Sequence, residues 1–395
     1  MLPHGNKCNY VYFCTFYLGL FMIQIQKVMN KHDLNAFISF PSSLYCADDC
    51  WIEPLHFERA EHLSAKNPGS EHIYWQAWIA KKEGRVVGRI TAQIDTLHRK
   101  RYGDDTGHFG AIDAIDDPEV FSALFTAAET WLKSVGARKI TGPFNLNINQ
   151  ESGLLVDGFG TPPCALMPHG KAYYGSRVEQ LGYTKGIDLL AYWMQRTDLF
   201  FSPSLLKLMD QVRKKVTIRS INRKQFTEEM QILREIFNSG WQHNWGFVPF
   251  TEHEFATMGE QLKFLVPDDM IHIAEIDSVP CAFIVGLPNI NEAITDLNGR
   301  LLPFGWARLL WRLKVSGVRT ARVPLMGVRQ EYQFSRIGPV IALLLIEALR
   351  EPFARHHIDA LEMSWILESN SGMRTILERI GGVAYKRYRL YEKQI

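Results

Sequence analysis

Residues 320–349 read TARVPLMGVRQEYQFSRIGPVIALLLIEAL, and residues 357–370 read HIDALEMSWILESN. Arg322–Met326 is a short apolar run of strand length. Gly327–Gly338 is polar and turn-forming, and Pro339 follows where a helix tolerates a residue without an amide donor. Ile337 to Leu349 carries almost no polar residue and, at that length, predicts a buried helix rather than a membrane span. Strand, loop and helix in this order aim the loop amides and the helix N-terminus past the end of the strand. Such an N-terminus bears roughly half a positive charge and unpaired amides, which suits phosphate, and Arg329 and Arg336 add charge able to pair bidentately. The composition is that of a pyrophosphate cradle.

Downstream, Asp359–Ile366 reads as a second core strand. Glu368-Ser369-Asn370, a helix over Met373–Ile380, Gly381-Gly382 and a closing strand over Val383–Tyr391 follow. This order resembles the second half of a GNAT-type N-acyltransferase, in which acyl-CoA lies between two splayed parallel strands. More narrowly, Asn238–Pro249 (NSGWQHNWGFVP) and Ser364–Asn370 (SWILESN) resemble the YghO-like tandem acyltransferases, a group related to bacterial ceramide synthases. The resemblance covers nearly the whole chain after about residue 22. It implies an α/β fold, a mixed sheet in two tandem GNAT-like domains, with acyl-CoA as co-substrate and no metal. The carrier would be held by Val328, Arg329, Gln333, Arg336 and Gly338. Two positions depart from the pattern. Arg336 stands where the GNAT loop has its first Gly, restricting the approach of backbone to phosphate. Leu377 stands where the following helix usually carries a general-acid Tyr.

The earlier part of the chain repeats the unit. A hairpin is expected from Trp75–Ala80 and Val86–Ile94 around Glu83-Gly84, then a strand over Gly107–Ile115, a helix over Pro118–Val135 and a strand over Lys139–Pro143. Asn145, Asn147, Asn149 and Glu151 fall in the loop at that strand's C-terminal end, where open α/β sheets place ligands. Val178–Gly182 (VEQLG) shares its pattern with Leu377–Gly381 (LERIG), about half a chain later. Two like-shaped domains, 22–197 and 208–395, are therefore expected, joined over 198–207. They are not equivalent: the first half's loop is Asp113–Glu119 (DAIDDPE), whose carboxylates occupy the helix N-terminus and repel pyrophosphate. The carrier is expected in the second half, with a structural or acceptor-shaping role for the first.

Acyl transfer to an amine needs a base. Glu368, at the C-terminal end of the second core strand, and Glu362, within it, are the candidates, with Asn370 holding carrier or acceptor. The alternative is that Glu368 and Asn370 cap the next helix and Glu362 pairs with an Arg. Asn238, Trp241, His243, Asn244, Trp245 and Trp365 are either an acceptor pocket or a loop packed between the domains. Arg300–Val315 is basic, Trp-bearing and amphipathic, fit to lie on a membrane surface, to cover an acyl tunnel, or to pack on its own sheet.

With 395 residues, 46% of them apolar, the chain can build large cores, and a net charge of +2 gives no ground for a nucleic-acid partner. Cys46 and Cys50 lack a second pair to make a zinc site, and the cysteines read as reduced thiols of a cytoplasmic protein, with peripheral contact to the inner membrane through 300–315. Residues 1–21 read as a dispensable or mis-started extension before Met22. The leading function is transfer of an acyl group from acyl-CoA, or an acyl carrier protein, to a small-molecule or lipid amine. A FemABX-like aminoacyl transferase and a non-catalytic binding protein are the alternatives.

Overall fold

The computed structural model describes residues 22–395, and the reading of residues 1–21 lies outside them. Its strands are β1 (Gln24–Lys27), β2 (Ile73–Lys82), β3 (Arg85–Asp95), β4 (Thr106–Ala114), β5 (Lys139–Gly142), β6 (Leu154–Asp157) and β7 (Thr184–Gln195), then β8 (Val216–Ser220), β9 (Ile271–Ile276), β10 (Val279–Pro288), β11 (Thr320–Val328), β12 (Ala360–Leu367) and β13 (Val383–Gln394). They form one mixed sheet in the order β1-β2-β3-β4-β5-β13-β7-β12-β11-β10-β9-β8, with β6 beside β13. The expected hairpin turns at Glu83 and Gly84, both at positive φ (53° and 76°), the backbone that a tight two-residue hairpin needs.

β4 with β5 and β11 with β12 pair in parallel, and both ladders are short. The first runs from Thr106–Lys139 to His108–Thr141, the second from Thr320–Ala360 to Val323–Met363. A proline stands at the end of each: Pro143 follows β5, and Pro324 follows the last paired residue of β11. Neither has an amide to carry the ladder on. Beyond those points β4 continues to Ala114 and β11 to Val328, so each half opens a fork at the C-terminal ends of its parallel strands.

After each fork a helix returns along the sheet. Pro118–Ser134 is capped by Asp117, whose side chain accepts from the Glu119 amide (2.9 Å), and it buries Val120, Phe121, Leu124, Phe125, Ala128 and Leu132 along one face. Gly338–Ala348 instead buries every residue from Val340 to Ile346. At about 2 kcal/mol per buried large side chain, tertiary burial holds this helix.

The last strands of the two halves change places. β7 pairs with β12 of the second half, and β13 lies between β5 and β7. Leu190, Tyr192 and Met194 of β7 are buried in the core of the second half, and Tyr391 of β13 in the core of the first. Residues 198–207, read as a connector, contain the end of a 3-10 turn and the start of the helix Pro203–Arg213. Within 300–315, Pro303 and Gly305 delay the helix, which runs over Gly305–Trp311 and continues as a π turn over Arg312–Ser316.

Candidate active site

The loop beyond β11 is folded more tightly than its polarity predicted. Gln330–Gln333 makes a helical turn, and Gln333 Nε2 donates to the carbonyls of Val328 (3.0 Å) and Gly240. Arg329 Nε donates to the Pro280 carbonyl (2.8 Å), with Nη2 3.5 Å from Glu235. The Gly338 amide donates to Ser335 Oγ (3.2 Å), and a Cβ at Gly338 would stand 2.1 Å from the Tyr332 carbonyl oxygen, so the helix starts hard against the turn. Val328, Arg329 and Gln333 thus have protein partners. Arg336 is exposed and forms no side-chain hydrogen bond or ion pair among the described residues. The Gly338–Ala348 helix has no acidic residue in its first turn, so its positive end is not neutralised from within.

The six candidate acceptor residues divide into two groups. Asn238 exchanges hydrogen bonds with the Phe250 backbone (3.0 and 3.1 Å), and Trp241 Nε1 donates to the Met326 carbonyl (2.9 Å). His243 Nε2 lies 2.7 Å from Gln330 Nε2, and the Asn244 amide donates to the Trp241 carbonyl (2.8 Å). Trp245 and Trp365 belong elsewhere, packed with Trp193 and Tyr385 around buried Leu189 and Tyr388.

The carboxylates also separate. Glu368 Oε2 lies 2.7 Å from Lys185 Nζ, and its Oε1 accepts from the Asp188 amide (3.1 Å). Asn370 Oδ1 accepts from the Met373 amide (3.1 Å) and caps the helix Ser371–Arg379, in which Leu377 is fully buried. Glu362 has no exposure and faces Arg322 across the last rungs of the parallel ladder. Arg322 Nε is 3.6 Å from Glu362 and donates to Ser364 Oγ (2.8 Å), and the guanidinium lies 4.9 Å from the Trp365 ring centroid. Ser364 Oγ stands 2.5 Å from Glu362 Oε1, and the Tyr385 hydroxyl donates to Oε2. Burial, and next the Glu362 charge, raise the Tyr385 pKa, keeping the phenol protonated. On the same strand Lys386 donates to the Thr161 carbonyl (2.6 Å), and burial lowers its pKa. Tyr385 was not legible as a partner of Glu362, because β7 lies between their strands.

A cavity of about 140 Å³ lies at the other fork, room for a small polar group or several waters. Asn145 bridges this fork: Oδ1 accepts from the Ala111 amide (2.9 Å), and Nδ2 donates to Glu151 Oε2 (2.7 Å). The other Glu151 oxygen takes Arg59. Burial works against both charges, yet each holds the other ionised, with Arg59 above and Glu151 below its ordinary pKa. His62, with Nε2 3.3 Å from the Asn145 carbonyl, is pushed down to about 4 by burial and then by Arg59, so its imidazole is neutral at pH 7. Glu53 with His56 (2.6 Å) and Asp113 with Arg89 (2.7 Å) complete the polar wall. Around it Trp51 Nε1, Thr91 Oγ1 and His169 Nδ1 are buried without a hydrogen-bond partner among the described residues, as polar atoms that face water or a ligand are. Asn145 and Glu151 were marked by their loop. Arg59 and His62 were not, since the short helix His56–His62 carries no motif. Met167 lines this cavity, and its sulphur is 3.4 Å from Ser364 Oγ, so one side chain touches both the cavity and the Glu362 cluster.

One mixed sheet with two forks, each followed by a returning helix, is the tandem GNAT fold. A tandem GNAT protein from the clavulanic acid biosynthesis pathway shares it with a TM-score of 0.55 at 10% identity, over 94% of this chain and 98% of that one. A GCN5-related N-acetyltransferase from Sphaerobacter thermophilus does so with a TM-score of 0.52 at 11% identity, over 94% and 95%. No family model matches the sequence. The chain is 80% identical to protein YghO of Escherichia coli (strain K12), over 94% of its length and 95% of that protein. It is 44% identical to a bacterial ceramide synthase of Caulobacter vibrioides (strain NA1000 / CB15N), over 94% and 98%. The chain belongs to the family of these two proteins.

Proposed function

We propose that the chain is an N-acyltransferase that moves an acyl group from acyl-CoA to the amine of a long-chain, sphingoid-type acceptor. The tandem GNAT fold and a family that includes a ceramide synthase support this reading. The observation that carries the chemistry is Glu362, buried where β11 and β12 begin to part, with the Tyr385 hydroxyl on one carboxylate oxygen and Ser364 on the other.

An amine reaches the site as an ammonium and must lose a proton for its nitrogen to attack the thioester carbonyl. Tyr385, only half-buried, receives that proton as its own passes to Glu362. The new C–N bond forms and the C–S bond breaks, and the second proton that the nitrogen sheds to become an amide is taken up by the departing sulphur. A thiolate is a stable leaving group that needs little help from an acid, which suits the buried Leu377 where GNAT helices carry Tyr. The carrier's phosphates are assigned to the second fork, where Arg336 stands exposed beside a helix N-terminus free of acids. Glu368 and Asn370, engaged by Lys185, the Asp188 amide and the Met373 amide, hold the tip of β12 and come second to Glu362 in this reading.

Glu362→Gln and Tyr385→Phe should each lower kcat by about a hundredfold or more with little change in acyl-CoA affinity, the scale of a lost general base. Glu368→Gln should lower it by less than about fivefold. Steady-state turnover of an acyl-CoA with a sphingoid amine reads all three, with circular dichroism to confirm folding. A collapse in Glu368→Gln beside an unchanged Glu362→Gln would return the base to Glu368.

A further inference from the structure

The Gly305–Trp311 helix is turned inside out. Arg308 donates to Asp296 (2.7 Å), and Arg312 donates to Asp296 (2.5 and 3.0 Å) and to the Ala293 carbonyl (3.0 Å), so both arginines turn towards Asp296, with Arg308 still half exposed at the edge of the strip. Leu302, Phe304 and Val315 are 81%, 78% and 69% exposed, and Trp306, Leu310 and Trp311 are about half exposed. Phe264 extends the strip, being 75% exposed with its carbonyl held by Lys314 Nζ (2.8 Å). Contiguous apolar surface of this kind marks an interaction site. No helix among the described residues is long and apolar enough to cross a membrane, so the strip can meet a membrane only from its surface.

Charge narrows the choice of partner. From Arg300 to Val315 the sequence has four basic residues and no acidic one, and Asp296 offsets part of that charge without cancelling it. An apolar, Trp-bearing centre with a basic rim complements the surface of an anionic bilayer, where indole rings sit at the headgroup level and cations meet lipid phosphates.

The strip also adjoins the cavity. Gly299, just before it, accepts the His56 amide through its carbonyl (2.9 Å), and Glu53 and His56 line the first-half cavity. Asn291 lines it as well, from the short helix Ile290–Ile294, whose Ala293 carbonyl holds Arg312. The strip and the cavity therefore share a wall.

We propose that residues 302–315 seat the protein on an anionic phospholipid surface, with the first-half cavity beside the point of contact. The docking stands on the strip alone; it rests on the acyl-transfer reading only for the further step that the lipid whose polar head enters the cavity is the amine acceptor.

Flotation of the full chain with vesicles of phosphatidylglycerol or of phosphatidylcholine tests this directly. Binding should favour the anionic vesicles by at least roughly tenfold and weaken as salt is raised. It should fall about tenfold in the triple variant Trp306→Ser/Leu310→Ser/Trp311→Ser. Each of these side chains is at least half exposed, so the melting temperature should change little. Lipids brominated in the acyl chain should quench the tryptophan fluorescence of the wild type and have much less effect on Trp306→Phe/Trp311→Phe, a reading that does not depend on the triple variant folding. A chain that ignores both kinds of vesicle, floats equally well after the triple substitution, or instead forms a dimer that the triple substitution abolishes, overturns the proposal. Vesicle binding without transfer to any amine leaves the docking in place and removes the acyl-transfer reading.

Discussion

Beyond β4, Asp117 caps the returning helix and holds Lys82 (2.8 Å), and Glu119 adds a second carboxylate to the first turn. Beyond β11, the corresponding helix starts without an acid and beside the exposed Arg336. The forks differ inside as well: Asn145, Glu151 and Arg59 build a polar cavity into the first, whereas Trp241 reaches the Met326 carbonyl in the second. One strand–loop–helix unit is thus set against or in favour of an anion by a few side chains at its turn, while the strands that build the fork stay the same.

The largest effect expected from breaking this contrast is on stability. Glu151→Leu removes the closer of the two carboxylates that Arg59 meets, leaving Glu58 at 3.4 Å, and should cost about 3 kcal/mol, read as a fall in melting temperature. Arg59→Met with Glu151→Leu should recover most of that loss. Equal melting temperatures for the single and double variants would show that the pair does not hold the first fork.

A smaller effect joins the halves. His72, from the first half, lies between Asp95 (2.9 Å) and Glu254 of the second half (3.0 Å). Burial opposes its charge, but the two carboxylates outweigh burial and raise its pKa to about 9. The unfolded imidazole titrates near 6.5, so this raised pKa contributes stability in full below about pH 6.5 and loses it as pH rises through about 9. Roughly 2 kcal/mol should disappear across that window, and His72→Asn should flatten this part of the profile in thermal melts at several pH values. A wild-type profile that is already flat there would detach His72 from the coupling of the halves.

The smallest effect sharpens the assignment of the carrier. Arg336→Ala should weaken CoA binding about tenfold, near 1.4 kcal/mol, while Arg329→Ala, already committed to Pro280 and Glu235, should change it less than about threefold. Calorimetry should find one site per chain. Two equal sites would erase the distinction between the forks.

Much of the second half was legible, because its signals are local. The proline start and apolar run mark the Gly338–Ala348 helix, and the acids of Asp113–Glu119 mark the different character of the first fork. What depends on distant partners was not. Arg329 reads as a phosphate ligand from its loop, yet a carbonyl of β10 takes it. Periodicity shows that 300–315 is amphipathic but not which face meets the protein, since that is decided by Asp296. Tyr385 and Glu362 meet across an intervening strand, and Arg59 meets Glu151 across the fork, so no spacing in the chain announces either pair.

Because β7 and β13 change places, the sheet can close only once β13 has been synthesised. β5 emerges from the ribosome early, but its neighbour β13 is synthesised after every other strand described here. Until then β5 and β7 present open edges, which invite pairing with other chains, and the contacts that close the sheet span most of the sequence. The first half therefore exposes those edges for as long as β13 is missing, and its own completion waits on a strand that belongs, by sequence, to the second half.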